Sequence, residues 1–169
     1  MEYRKDIDGL RAIAVIPVVL FHLGIPVFSG GYVGVDVFLV ISGYLITSII
    51  FRDIERGKFS ITSFYERRIR RIFPALFTVL AATTTVSFWI YSPSELIRYS
   101  KSLASISLFS SNFLFLRESG YFSPSAEIWP LLHTWSVSIE EQFYIFFPLL
   151  LLFSFKYLRK PILPITILY

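Results

Sequence analysis

The sequence predicts an all-α, polytopic transmembrane helix bundle of about four to five spanning helices, with one further short re-entrant or interfacial segment. Three observations predict it. Apolar residues make up 54% of the 169, and phenylalanine alone supplies 18. Mean hydropathy is +0.63, well above that of a soluble domain. Charged residues are only 17%, and they gather between apolar stretches instead of alternating with them. Cysteine is absent, which excludes disulfide frameworks and thiolate chemistry. The net charge of +4 reads as topogenic Lys and Arg and gives no argument for nucleic acid.

A spanning helix needs about 20 mostly apolar residues. The first segment covers residues 10–27. The preceding Arg4 and Lys5 resemble the start of a signal peptide, but Glu2, Asp6 and Asp8 interrupt that region. No small-residue cleavage site follows; the run ends in Leu23-Gly24-Ile25-Pro26. The second segment covers 32–51 and carries Asp36, Ser42 and Thr47. The third covers 72–91. Residues 103–116 are apolar but hold Ser105, Ser107, Ser110, Ser111 and Asn112. As one helix they reach only about 21 Å, and their polar content suits burial in protein. Residues 143–155 form another strong segment, and a last one begins at Pro161.

Arg and Lys prefer the cytoplasmic side. Residues 52–71 read as a loop holding Arg52, Arg56, Lys58, Arg67, Arg68, Arg70 and Arg71, which makes it cytoplasmic. The N-terminus is then cytoplasmic as well. Arg11 lies near the inner end of the first helix and His22 near its outer end, with Ser29-Gly30-Gly31 outside. If 103–116 does not span, the cluster Lys156, Arg159 and Lys160 is also inside, and residues 133–141 share the outer side with His22.

Four constellations carry candidate chemistry. Arg11 and His22 are eleven residues apart, about three turns, so they share one side of a helix at about 16 Å separation. An ionisable residue at membrane depth is costly and marks a functional site by default. Arg11 could face an anionic group from the cytoplasm, or snorkel to the headgroups. His22 suits a general base near neutral pH, or is a packed interfacial histidine. The second constellation is the glycine-rich run from Gly30 to Tyr44, in which Asp36, in the first turns of the second helix, could hydrogen-bond His22 across the hairpin or simply favour the helix dipole. Ser42 lacks a Gly-x-Ser-x-Gly elbow and reads more readily as a packing serine than as a nucleophile.

The third constellation is Phe64-Tyr65-Glu66-Arg67-Arg68-Ile69-Arg70-Arg71-Ile72-Phe73-Pro74-Ala75. Arginine recognises phosphate bidentately, and Arg68 and Arg71 share a helix face. Docking of a phosphorylated donor competes here with positive-inside signalling and anionic-lipid binding. The fourth is Leu132-His133-Thr134-Trp135-Ser136-Val137-Ser138-Ile139-Glu140-Glu141-Gln142-Phe143-Tyr144. Thr134 or Ser136 could cap the following helix, with Glu140 and Glu141 in its first turn. Adjacent acids face different directions, so one could face the interior and His22. His133 has no CxxC or HExxH partner, and no metal is expected.

Taken together these blocks resemble the acyltransferase 3 family of integral membrane acyltransferases. Tyr3-Arg4-x-x-Ile7-Asp8-Gly9-Leu10-Arg11-Ala12 followed by His22 is similar to its opening. Gly34-Val35-Asp36-Val37-Phe38-x-x-Ile41-Ser42-Gly43-Tyr44-Leu45-Ile46 is similar to its second signature. The arginine block and the run from His133 to Tyr144 are similar to its third and fourth, in family order. The resemblance implies transfer of an acyl group, usually acetyl, from acyl-CoA to a carbohydrate hydroxyl such as lipopolysaccharide O-antigen or exopolysaccharide. It implies a bacterial inner-membrane, multi-pass protein with acyl-CoA as donor substrate and no resident cofactor.

In that reading Arg11, Arg68 and Arg71, with Ser42 and Trp135, hold the donor. His22 deprotonates the acceptor, aided by Glu140, Glu141 or Asp36, by direct transfer or through an acyl-histidine. The family domain has about ten spanning helices, so residues 1–169 are expected to be the N-terminal portion of one membrane-embedded acyltransferase domain, apparently truncated. Missing helices or a partner chain would complete the walls. A non-catalytic carrier resembling a flippase, and an inactive remnant, are the rival readings.

Overall fold

The computed structural model describes residues 5–118, 129 and 131–158. The expectations resting on Glu2, Tyr3, Arg4, Arg159, Lys160 and residues 161–169 lie outside these. Among the described residues the chain is helical and has no strand: α1 Lys5–His22, α2 Gly34–Glu55, α3 Ile61–Ile90, α4 Pro93–Ser107, α5 Ser111–Glu118 and α6 Thr134–Leu158. Among the described residues three stretches are long and apolar enough to cross a membrane: Gly31–Glu55, Ile61–Ile90 and Thr134–Tyr157. The chain divides into two compact units, residues 1–56 with 146–169, and residues 57–145.

In the first unit α1 and α2 form an antiparallel hairpin. The first segment, expected over 10–27, stops as a helix at His22. It is not among the three long apolar helices, because Lys5, Asp6, Asp8 and Arg11 occupy its first two turns. A Schellman motif closes α1: Ile25 N–H donates to Leu20 O (3.2 Å) and Gly24 N–H to Phe21 O (2.9 Å). Gly24 takes the left-handed conformation that this motif needs, at φ 72°. Two 3₁₀ turns, Pro26–Phe28 and Gly31–Val33, then lead into α2. Further along α2, the Phe51 ring lies 5.6 Å from that of Phe155 on α6.

In the second unit α3 starts at Ile61, eleven residues before the expected third segment. Ser60 is its N-cap, accepting from Ser63 N–H at 3.4 Å. The arginine block is therefore helical, and the connection between α2 and α3 shrinks to residues 56–60. Leu80, Tyr99, Ile106 and Leu131 form the buried core, flanked by Leu76, Tyr91 and Val137. The stretch 103–116 is not one helix. It breaks at residues 108–110, where Phe109 has φ 49°, so its halves belong to α4 and α5. Neither half has the length to span.

The start of α4 carries a capping box. Ser92 N–H and Ser92 Oγ–H both donate to Glu95 Oε2, at 2.7 and 2.6 Å. These bonds, the side-chain one foremost, hold the Glu95 carboxyl below its ordinary value of 4.5. A depressed carboxyl stabilises the fold above its unfolded pKa and loses that contribution as pH falls through the folded one. The first turn of α4 should therefore stay protected near neutral pH. Below about pH 4.5 it should fray, read as faster amide exchange after correction for intrinsic rates.

Candidate functional site

The α1–α2 seam is set by two glycines. A Cβ on Gly31 would collide with the Pro17 carbonyl, and one on Gly34 with the Ala14 carbonyl. The helices thus touch backbone to backbone, the close approach that small residues permit. This fixes the register: residue 31 faces 17 and residue 34 faces 14.

Arg11 lies half-buried in that seam. Its guanidinium sits 4.9 Å from the centre of the Phe38 ring, a cation–π contact. Its Nη1 is 4.0 Å from Asp8. Its Nε is buried without a hydrogen-bond partner among the described residues, and so is the Ser42 hydroxyl, one turn beyond Phe38 on α2.

His22 is exposed at the last helical position of α1. Its Nδ1 lies 2.8 Å from the Val18 carbonyl oxygen. A carbonyl can only accept, so Nδ1 carries the hydrogen. In the neutral ring Nε2 then holds a free lone pair. The expected bond from Asp36 to His22 is not formed. The register puts Asp36 level with residue 12, about ten residues deeper in the hairpin, or about 15 Å along the axis. Asp36 is exposed, and the acceptor that orients His22 is main chain.

In the second unit the four arginines separate by helical phase. Arg70 pairs with Glu66 at 2.9 Å on the outer face. Arg67 and Arg71 are exposed. Arg68 turns inward, stacked 4.9 Å from the Tyr144 ring and 5.6 Å from that of Phe64. Tyr65 OH donates to the Ile145 carbonyl at 2.7 Å, tying α3 to α6.

The acids of α6 stand beside this arginine. Glu141 is buried, and Glu140 accepts a short hydrogen bond from the Tyr144 hydroxyl. Both carboxylates and Arg71 act electrostatically on Arg68. The two acids are not in the first helical turn as expected, because α6 begins at Thr134, six residues before Glu140. Thr134 and Ser136 do not cap by accepting. Their hydroxyls donate to Leu131 O (2.7 Å) and His133 O (3.1 Å). Trp135 is half-buried on the first turn. No cluster of three metal-ligating side chains occurs among the described residues.

Sequence reasoning missed what holds α6 in place. Thr134, Ser138 and Gln142 recur every four residues on one face of α6. Ser138 Oγ lies 2.7 Å from Ser111 Oγ and accepts from the Ser111 amide at 3.2 Å. Gln142 donates to Phe109 O at 2.6 Å and to Asn112 Oδ1 at 2.9 Å. The i, i+4 spacing of small polar residues was the readable signal. Ser138→Ala strands the fully buried Ser111 amide. A loss of about 1–3 kcal/mol in unfolding free energy is expected, measurable by denaturation in detergent.

The sequence pattern of the acyltransferase 3 family, described as an acyltransferase domain, matches residues 4–169. The chain belongs to this family. The O-acetyltransferase OatA of Staphylococcus aureus (strain NCTC 8325 / PS 47) is 39% identical over 153 residues, covering 89% of this chain and 25% of that protein. SAS0844 of Staphylococcus aureus (strain MSSA476) is 37% identical over 161 residues, covering 95% of this chain and 26% of its own length. The chain thus spans about a quarter of the length of these relatives. No solved structure matches it.

Proposed function

We propose that the chain is the N-terminal part of one membrane O-acyltransferase domain. It moves an acyl group, acetyl above others, from cytoplasmic acyl-CoA to a hydroxyl of a surface carbohydrate such as lipopolysaccharide O-antigen or exopolysaccharide. The observation that carries this is the state of His22: Nδ1–H bound to Val18 O, Nε2 open. Nε2 takes the proton of the acceptor hydroxyl as its oxygen attacks the thioester carbonyl. The C–S bond breaks, and the imidazolium returns the proton to the departing thiolate.

The donor's phosphates suit the arginines. Arg68 turns inward beside Tyr144 and the exposed Arg71, three residues on, lies near enough to act on it electrostatically, with Trp135 on α6 in the same unit. Arg11 Nε and Ser42 Oγ are each buried without a partner among the described residues, so an anionic or carbonyl group reaching Arg11, and a polar group reaching Ser42, would satisfy them. Glu140 and Glu141 counterbalance Arg68. In the inner membrane, with the N-terminus cytoplasmic and four to five spans in this portion, the arginine block faces CoA and His22 faces the glycan. Further helices, or a partner chain, would complete the walls.

The test uses membranes carrying the protein and acetyl-CoA labelled in the acetyl group. Label appearing covalently on the surface glycan supports the transferase. Label that only crosses the membrane identifies a carrier without chemistry, and no label on either supports an inactive remnant.

A further inference from the structure

The second unit holds a cavity of about 300 Å³ that the chemistry above does not use. It lies between the last three turns of α3, the Tyr99 region of α4 and the approach to α6. Thr83, Ser87, Tyr91, Tyr99 and His133 bring polar atoms to its wall, with Ala82, Val86 and Leu131 between them. Among the described residues, none that lines it is Asp, Glu, Lys or Arg.

Three properties define what it can hold. The first is an unspent hydroxyl. Ser87 is 4% exposed, lines the cavity, and its side chain makes no hydrogen bond among the described residues. Tyr99, by contrast, is tied down: its hydroxyl lies 2.6 Å from Thr84 Oγ and 3.2 Å from Thr83 Oγ. The rim therefore offers one open hydroxyl beside a pre-set one, on a rigid helix. The second is neutrality. With no carboxylate, ammonium or guanidinium among the described lining residues, and His133 the one group of a type that titrates near neutral pH, the wall offers phosphates and carboxylates little to offset their desolvation. A plain alkyl chain fits no better, since it would leave the hydroxyls unsatisfied. Apolar walls with a few convergent polar groups suit a small neutral ring bearing hydroxyls, whose C–H face can lie on aromatic carbon. Tyr91 and Tyr99 supply that carbon, with ring centres 6.2 Å apart.

The third property is position. Ser87 lies nineteen residues beyond Arg68 on the same helix, about 28 Å along its axis. That is about the thickness of a bilayer's hydrocarbon core. The cavity is thus at the membrane face opposite the phosphate-binding arginines.

We infer that this cavity is an acceptor subsite that holds one neutral sugar ring, with Ser87 and the Thr83–Tyr99 hydroxyl pair reading its hydroxyls. The inference rests on the acyltransferase reading, but its test does not require turnover. The whole 169-residue chain in lipid nanodiscs is probed by saturation-transfer NMR with methyl β-D-glucopyranoside, and separately with pantetheine as a neutral donor-like probe. Wild type should saturate the glucoside ring protons. Ser87→Ala should weaken binding about three- to tenfold, the worth of one neutral hydrogen bond. Ala82→Phe, which fills the cavity, should abolish it. Circular dichroism verifies that both variants are folded, and Ser87→Ala alone decides if Ala82→Phe is not.

No saturation in wild type, or equal saturation in all folded proteins, overturns the subsite. Saturation of pantetheine but not glucoside, lost in the variants, overturns it in favour of a donor channel. A protein that transfers acetyl but shows no cavity-dependent glucoside binding refutes only the subsite. Binding without transfer refutes only the reaction.

Discussion

Replacing Gly34 by alanine is expected to pry α1 from α2 and lower the unfolding free energy by about 2–3 kcal/mol. The backbone at Gly34 is ordinary right-handed helix, at φ −58°, so conformational freedom is not the issue. Contact is. The new Cβ would meet the Ala14 carbonyl, with Val18 Cγ2 at 2.9 Å. That carbonyl belongs to the α1 ladder and cannot turn away without breaking helix, so the whole helix must retreat. Retreat also separates Arg11 from the Phe38 ring. Gly9→Ala is the control, because nothing lies within 4 Å of a Cβ there. It should be neutral or stabilising by up to about 1 kcal/mol, as expected for alanine replacing a helical glycine. Reversible unfolding in mixed detergent, followed by circular dichroism, separates the two. Equal stability of both variants would refute the seam.

His22→Ala is expected to lower acetyl transfer by about 10²–10⁴-fold, the usual contribution of a general base. Folding should be unchanged, since His22 is exposed and its side chain bonds only within its own turn. The measurement is turnover of labelled acetyl-CoA alongside the far-UV spectrum. Transfer at the wild-type rate would remove His22 from the chemistry.

Much of this was legible in the sequence, and the misses have particular causes. The apolar runs of α2 and of the later part of α3, from Ile72 on, were readable because lipid leaves so little choice of residue. The start of α3 was misread because the positive-inside rule explains why arginines cluster but not what backbone they adopt. Arginine and glutamate are good helix formers, and Ser60 supplies a cap. The break at Phe109 had no Gly or Pro to announce it. It follows from tertiary contact: Gln142 captures the Phe109 carbonyl, and Ser110 N–H reaches back to Ser105 O. The pairing of Asp36 with His22 failed for a different reason. Both residues were correctly placed on neighbouring helices, but their relative height depends on where Gly31 and Gly34 let the backbones meet, and spacing along the chain does not encode that.

The bond from His22 to Val18 O has a genetic consequence. In many sites a second side chain aligns the histidine, and losing it cripples the first. Here the aligning atom belongs to the peptide backbone, present whatever residue stands at position 18. A saturation screen for inactive variants should therefore find no second side chain whose loss misaligns His22. Hits that act through the placement of the imidazole should fall where the helix ends, above all at Gly24, whose left-handed turn decides that α1 stops where it does.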